Sequence, residues 1–224
     1  MTHFPILVAP GPFSRALEEL RALSSAPLLR RAGSRPVLVT SVHGFPHLRE
    51  GVVKASDSGT LQTSYLLAAT ADANWVAVGE PELADSNYHR DTAFKQALAA
   101  YLAATATTLV IDIHGSQAFR PYDVEIGSLD QQSWLGQEQW RESLTGYLER
   151  CGFFVSDNQV FRAAGPTQQA QTVTSFCMEL GIPCVQLEIS TALMDDLGSL
   201  QALHANAKLI NALAAFITTL EPKR

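Results

Sequence analysis

Four stretches of the chain are dense in β-branched and aliphatic residues and are bounded by polar or turn-forming positions: 35–42 (RPVLVTSV), 75–78 (WVAV), 108–114 (TLVIDIH) and 184–189 (CVQLEI). Such runs read as strands, and 122–126 (YDVEI), shorter and interrupted by two acids, reads as another. Between and around them the apolar spacing predicts helices over 14–23, 61–71, 92–104, 137–150, 172–180 and 199–219. Strands alternating with helices predict an α/β fold. The apolar opening, 4–10, has no basic stretch ahead of it and runs at once into Gly11 and Pro12, so it reads as an edge strand rather than a secretory signal. Segment 24–35, with Arg30, Arg31 and Arg35, reads as a surface loop. With no internal repeat and no clear linker, one domain over 1–224 is expected.

Three of these strands deliver polar residues where a pure core would not. The first is followed by His43 and Gly44, the second carries His114 and then Gly115, and the last carries Glu188. In open α/β sheets, ligand sites gather beyond the carboxyl ends of strands. Period-2 alternation puts Val110, Asp112 and His114 on one face of their strand and Leu109, Ile111 and Ile113 on the other. It likewise sets Gln186, Glu188 and Ser190 opposite Val185, Leu187 and Ile189. An acid inside such a strand is costly unless it is paired or hydrogen-bonded.

Composition narrows the chemistry. Of 224 residues, 46% are hydrophobic and 17% charged, enough for a globular core. Sixteen Lys and Arg against 22 Asp and Glu give a net charge of −6, which argues against binding nucleic acid or an anionic membrane surface. The three cysteines, Cys151, Cys177 and Cys184, form no C-x-x-C pair, so a thiolate zinc cage is not expected and a cytoplasmic location is. Two imidazoles with carboxylates and no thiolates suit a catalytic zinc site with an open position. There, a bound water can be activated and a further carboxylate can take its proton.

The segments SVHG (41–44), SDSGT (56–60), DSN (85–87), IDIHGS (111–116), RPYDVEIGS (120–128) and QLEIS (186–190) occur in an order that resembles the N-formylglutamate amidohydrolase-like proteins, relatives of the zinc carboxypeptidases. The resemblance spans roughly 37–190 and is most specific in IDIHGS followed by RPYDVEIGS. It implies a three-layer α/β/α sandwich around a mixed central sheet, of zinc-carboxypeptidase-like type, with one zinc and a small acidic amide or peptide as substrate. Position by position it implies His43, Asp57 and His114 as metal ligands, Glu188 as general base, and Asp85 as the residue that orients a ligand histidine. Tyr88 stands where the D-x-N-R motif has its substrate-gripping arginine. Asn87, with Arg90 or Arg120 in place of that arginine, is then expected at the substrate. In the loop after His43, HLRE has H-x-x-E spacing, so His47 and Glu50 compete with Asp57 for the third ligand position. The same atoms would serve a carboxypeptidase-like or γ-glutamyl peptide hydrolase, and a non-catalytic binding module on this fold is the remaining alternative.

Overall fold

A computed structural model of the chain describes residues 18–20, 26–194 and 200–220. Seven strands form a mixed sheet in the order β1 (Leu28–Arg31), β5 (Ala73–Val78), β2 (Arg35–Ser41), β6 (Leu109–Ser116), β9 (Cys184–Ser190), β7 (Val124–Gly127) and β8 (Val155–Asp157). The central four, β5, β2, β6 and β9, run parallel, while β1 is antiparallel to β5, β7 is antiparallel to β9, and β8 is parallel to β7. Helices α1 (Thr60–Ala71), α3 (Glu138–Arg150) and α5 (Leu200–Thr218) cover one face. They meet the sheet through Leu66, Leu67, Leu144, Leu148, Leu213 and Phe216, packed against Leu109, Ile111, Ile113, Val185, Leu187 and Ile189. Helices α2 (Ala93–Ala104) and α4 (Val173–Glu179) cover the other through Phe94, Leu98, Val173 and Cys177, packed against Leu38, Val76, Val110 and Cys184. The result is a three-layer α/β sandwich. Among the described residues no helix is long and apolar enough to cross a membrane.

The alternation expected for 109–114 and 184–189 is realised: the residues with odd numbers enter the larger core, and Asp112, His114, Gln186 and Glu188 share the other face. Parallel pairing then sets Thr40 beside Asp112, and His114 beside Glu188, while antiparallel pairing sets Glu125 beside Glu188. The β6 strand runs two residues beyond His114, because its pairing with β9 continues to Ser116 opposite Ser190.

Some elements differ from expectation. Residues 28–31 are not a surface loop but an antiparallel edge strand, with Leu29 buried and Arg30 exposed on alternate faces. A hairpin of β3 (His47–Arg49) and β4 (Val52–Lys54) follows β2, and Asp85 N donates to Leu48 O at 3.0 Å to tie it to the loop after β5. The strand expected over 4–10 lies outside the described residues, as does most of the helix expected over 14–23, of which 18–20 are helical.

Candidate metal centre and cleft

His43 lies two residues past the end of β2 and His114 near the end of β6. Asp57 lies three residues before α1, where Gly59 with φ of 77° is the N-cap, so the Asp57 carboxylate does not cap the helix. Its main chain is fixed by Asp57 N donating to His43 O at 2.8 Å and by Thr60 Oγ1 donating to Asp57 O at 2.8 Å. Its side chain turns to the histidines. His43 Nδ1 and His114 Nδ1 are 3.1 Å apart, and Asp57 Oδ2 is 3.3 Å from the first and 3.4 Å from the second. Gly115 N donates to the same oxygen at 3.2 Å. A Cβ on Gly115 would stand 3.1 Å from Asp57 Cβ, so the backbone approaches closely here because residue 115 has no side chain.

The opposite edges of both rings are committed. His43 Nε2 meets Asp85 Oδ1 at 2.9 Å and His114 Nε2 meets Asp112 Oδ2 at 2.9 Å, with both aspartates fully buried. Thr40 Oγ1 donates to Asp112 Oδ1 at 2.7 Å. Ionised carboxylates only accept, so each Nε2 carries a proton, and in the neutral imidazole each Nδ1 then offers a lone pair. With both rings neutral, two lone pairs and a carboxylate oxygen facing one another within 3.4 Å repel unless a proton or a metal ion lies among them. Zinc with bonds of about 2.0–2.1 Å to nitrogen and oxygen in tetrahedral array has ligand–ligand edges of about 3.3–3.4 Å, which this triangle matches. The carboxylate behind each imidazole is the arrangement that fixes the tautomer of a metal ligand.

His47 and Glu50 do not complete such a site. The His47 ring stacks on His43, with centroids 4.1 Å apart and planes 7° from parallel. Imidazole binds a metal in its own plane, and two parallel planes share no point, so His43 and His47 cannot hold one ion. His43 and His114, 83° from parallel, can. Glu50 instead accepts the Tyr88 hydroxyl at 2.5 Å.

Electrostatics follow the same pairs. Burial disfavours the charged imidazole at both histidines. The hydrogen bonds of His43 to Asp57 and Asp85 nonetheless raise its pKa, and the Asp112 charge raises that of His114 well above 6.5. Burial acts against ionisation of Asp57 and Asp85 as well, but His114 and His43 hold Asp57, and His43 and Arg49 hold Asp85, well below the usual carboxylate range. Burial pushes Glu188 up to about 7. Each shift has a sign in stability. The depressed aspartates stabilise above about pH 4 and lose that contribution on acidification, whereas the raised histidines stabilise below about pH 6.5 and lose theirs as pH climbs. Glu188, a raised acid, adds to the loss as pH rises through 7. The site of the metal-free chain is therefore most stabilising near pH 4–5. Zinc needs the Nδ1 protons gone, so its contribution grows over the same rise. Thermal unfolding between pH 4.5 and 8.5, with chelator or with zinc, is expected to show a zinc-induced increase in Tm that widens with pH; an increase largest at pH 4.5 would contradict these ligands.

The triangle lines a cleft of about 370 Å³ together with Glu188, Asn87, Gln186, Arg49 and residues 160–166. Glu188 Oε1 accepts from Gln186 Nε2 at 2.7 Å. Asn87 reaches the cleft, with its Oδ1 accepting from Val173 N at 2.8 Å. Neither arginine expected at the substrate lines it. Arg90 is half exposed and paired with Glu179 at 3.4 Å, and the Arg120 guanidinium lies between the Phe119 and Phe161 rings, 5.5 and 5.3 Å from their centroids. The guanidinium groups of the cleft are those of Arg49 and Arg162. Sequence reasoning passed over both: Arg49 sat inside a segment read for its H-x-x-E spacing, and Arg162 inside a loop with no periodicity. The signal that pointed to Arg49 was its place six residues after His43.

No family model matches the chain, and no curated protein does. Solved structures do. A gene product of Agrobacterium tumefaciens aligns over 92% of this chain and 100% of its own, at 15% identity and a TM-score of 0.62. N-formylglutamate amidohydrolase from Ralstonia eutropha JMP134 aligns over 87% and 98%, at 12% identity and 0.58. A metallo-carboxypeptidase from Burkholderia cenocepacia aligns over 95% and 70%, at 11% identity and 0.54. The chain has a zinc-carboxypeptidase-like fold. That architecture is the one the family resemblance implied.

Proposed function

We propose that the chain is a zinc-dependent amidohydrolase that cleaves an amide next to a carboxylate, of the N-formyl or N-acyl amino acid type, with Glu188 as general base. The observation that carries this reading is the convergence of His43 Nδ1, His114 Nδ1 and Asp57 Oδ2 within 3.4 Å of one another at the floor of a cleft. The donor set fits one zinc, and His43, Asp57 and His114 would hold it. Bound there, the ion supplies Lewis acidity, making a water acidic and a carbonyl electrophilic. Everything else falls to the chain's own residues. Glu188, in register with His114 and lining the same cleft, takes the water proton and returns it to the leaving nitrogen. A carboxyl group pushed up to about 7 by burial is matched to both halves of that task. Asp85 and Asp112 hold the two imidazoles in the required tautomer and orientation, and Gln186 holds one Glu188 oxygen so that the carboxylate keeps its aim.

The test is a substrate panel with zinc-loaded and chelated protein: N-formyl and N-acetyl amino acids, the same compounds amidated at the carboxylate, dipeptides, and γ-linked glutamyl peptides. Zinc-dependent turnover of the N-acyl amino acids, lost on amidation, is the expected result. Turnover confined to the dipeptides or the γ-linked peptides would move the reading to a carboxypeptidase-like or γ-glutamyl peptide hydrolase, and no turnover with zinc bound would leave a binding module.

A further inference from the structure

Asp85 stands at a junction. Fully buried, it accepts from three donors, His43 Nε2 at 2.9 Å and Asn87 N at 2.7 Å on Oδ1 and Arg49 Nε at 2.6 Å on Oδ2, with His47 Nε2 a further 3.5 Å from Oδ2. Through this one carboxylate a metal-facing imidazole and a guanidinium of the cleft wall are two hydrogen bonds apart. Arg49 comes from the β3 strand of the hairpin, with its guanidinium carbon 5.4 Å from the centroid of the Tyr88 ring. Its Nε edge is taken by Asp85. Its terminal Nη1 and Nη2 donate to no group among the described residues, the side chain is 30% exposed, and the residue lines the cleft. The other guanidinium of the cleft is committed: Arg162 places Nε and Nη2 on the two oxygens of Asp130. A guanidinium anchored at one edge and backed by an aromatic ring, with both terminal nitrogens open to a cavity, is preorganised to pair with a planar anion.

We propose that Arg49 is the carboxylate-binding residue of the cleft, and that Asp85 couples its occupancy to the metal centre. With Arg49 unpaired, its positive charge draws on the Asp85 carboxylate and weakens the pull of Asp85 on the His43 Nε2 proton. A carboxylate on the Nη groups offsets that charge, Asp85 acts more strongly on His43, and Nδ1 becomes the better donor. Carboxylate and metal then bind with positive coupling, and the coupling is reciprocal. This rests on the metal reading above but not on which amide is cleaved. It also gives the hydrolysis a logic: the carboxylate flanking the amide tightens the centre that attacks it.

The experiment uses benzoate, a monocarboxylate that cannot be hydrolysed, and isothermal titration of the whole chain. Benzoate is expected to bind the chelated protein, and Arg49→Gln to weaken that binding at least about 10-fold. Arg49→Lys, which keeps the charge but not the planar fork, falls between them, and Arg90→Gln, outside the cleft, leaves binding unchanged. Zinc affinity, measured against a competing chelator, is expected to rise about 5-fold in saturating benzoate. That rise disappears in Arg49→Gln. Unaltered benzoate binding in Arg49→Gln overturns the anion site. A zinc–benzoate coupling that survives in Arg49→Gln overturns the route through Asp85, because the carboxylate would then act on the metal directly. If the chain binds no zinc, the metal reading fails, while the benzoate titration of the chelated protein still decides Arg49. Should Arg49→Gln not fold, Arg49→Lys carries the same comparison, and binding equal to that of the unaltered chain overturns the proposal.

Discussion

Glu188→Gln is expected to keep zinc with the affinity of the unaltered chain and to lose amide turnover by about 10²–10⁴-fold, the usual worth of a positioned general base. Glutamine matches the shape of glutamate and can preserve the contact with Gln186 Nε2, but it cannot take a proton from water. Because Glu188 neighbours the metal triangle across the β6–β9 pairing and is not one of its corners, the metal should be untouched. The two readouts separate the roles. Full turnover with zinc in place would remove Glu188 as the base, and loss of zinc would make it a ligand.

His114→Ala carries the other large effect. It removes one corner of the triangle, and it also takes the imidazole partner from Asp112, a fully buried carboxylate that among the described residues then keeps only the Thr40 hydroxyl. Zinc affinity is expected to fall by well over the 10–100-fold typical of losing a residue behind a ligand. The metal-free fold should weaken too, since an unpartnered buried charge is strongly destabilising. His204→Ala, at an exposed position of α5, serves as the control and should change neither property. Competition with a chromogenic chelator reads the first effect and thermal unfolding in chelator the second. Zinc binding that survives in His114→Ala would move the metal elsewhere.

What made this fold legible was periodicity in long segments. The central strands are six to eight residues long, rich in Val, Leu and Ile, and alternate cleanly enough that the faces of Asp112, His114 and Glu188 could be assigned before any coordinates. Short elements carry too few positions to show a period. The three-residue strands β3, β4 and β8 gave no signal, and β1, with two leucines and two arginines, read as a charged loop. Strand-end histidines were visible because a polar residue there contradicts the core pattern. Arg49 and Arg162 were not, because arginine in a loop contradicts nothing; the cleft owns them through tertiary contacts with Asp85 and Asp130. Arg120 and Arg90 were the better candidates by motif and are placed elsewhere, Arg120 by the adjacent Phe119 together with Phe161 and Arg90 by Glu179, the last two partners lying at sequence distances no local pattern reports. Local sequence could not choose among Asp57, His47 and Glu50 for the third corner. Of the three, Asp57 sets an oxygen within 3.4 Å of both His43 Nδ1 and His114 Nδ1, while the His47 ring stacks on His43 and Glu50 accepts the Tyr88 hydroxyl.

X-ray absorption at the zinc edge of the reconstituted chain addresses the metal centre itself. Two imidazole nitrogens with one or two oxygens at about 2.0–2.1 Å, and no sulfur, is the first shell that His43, His114, Asp57 and a water would give. A sulfur neighbour, a single imidazole, or a shell of oxygens alone would contradict the shared ion on which the functional reading stands.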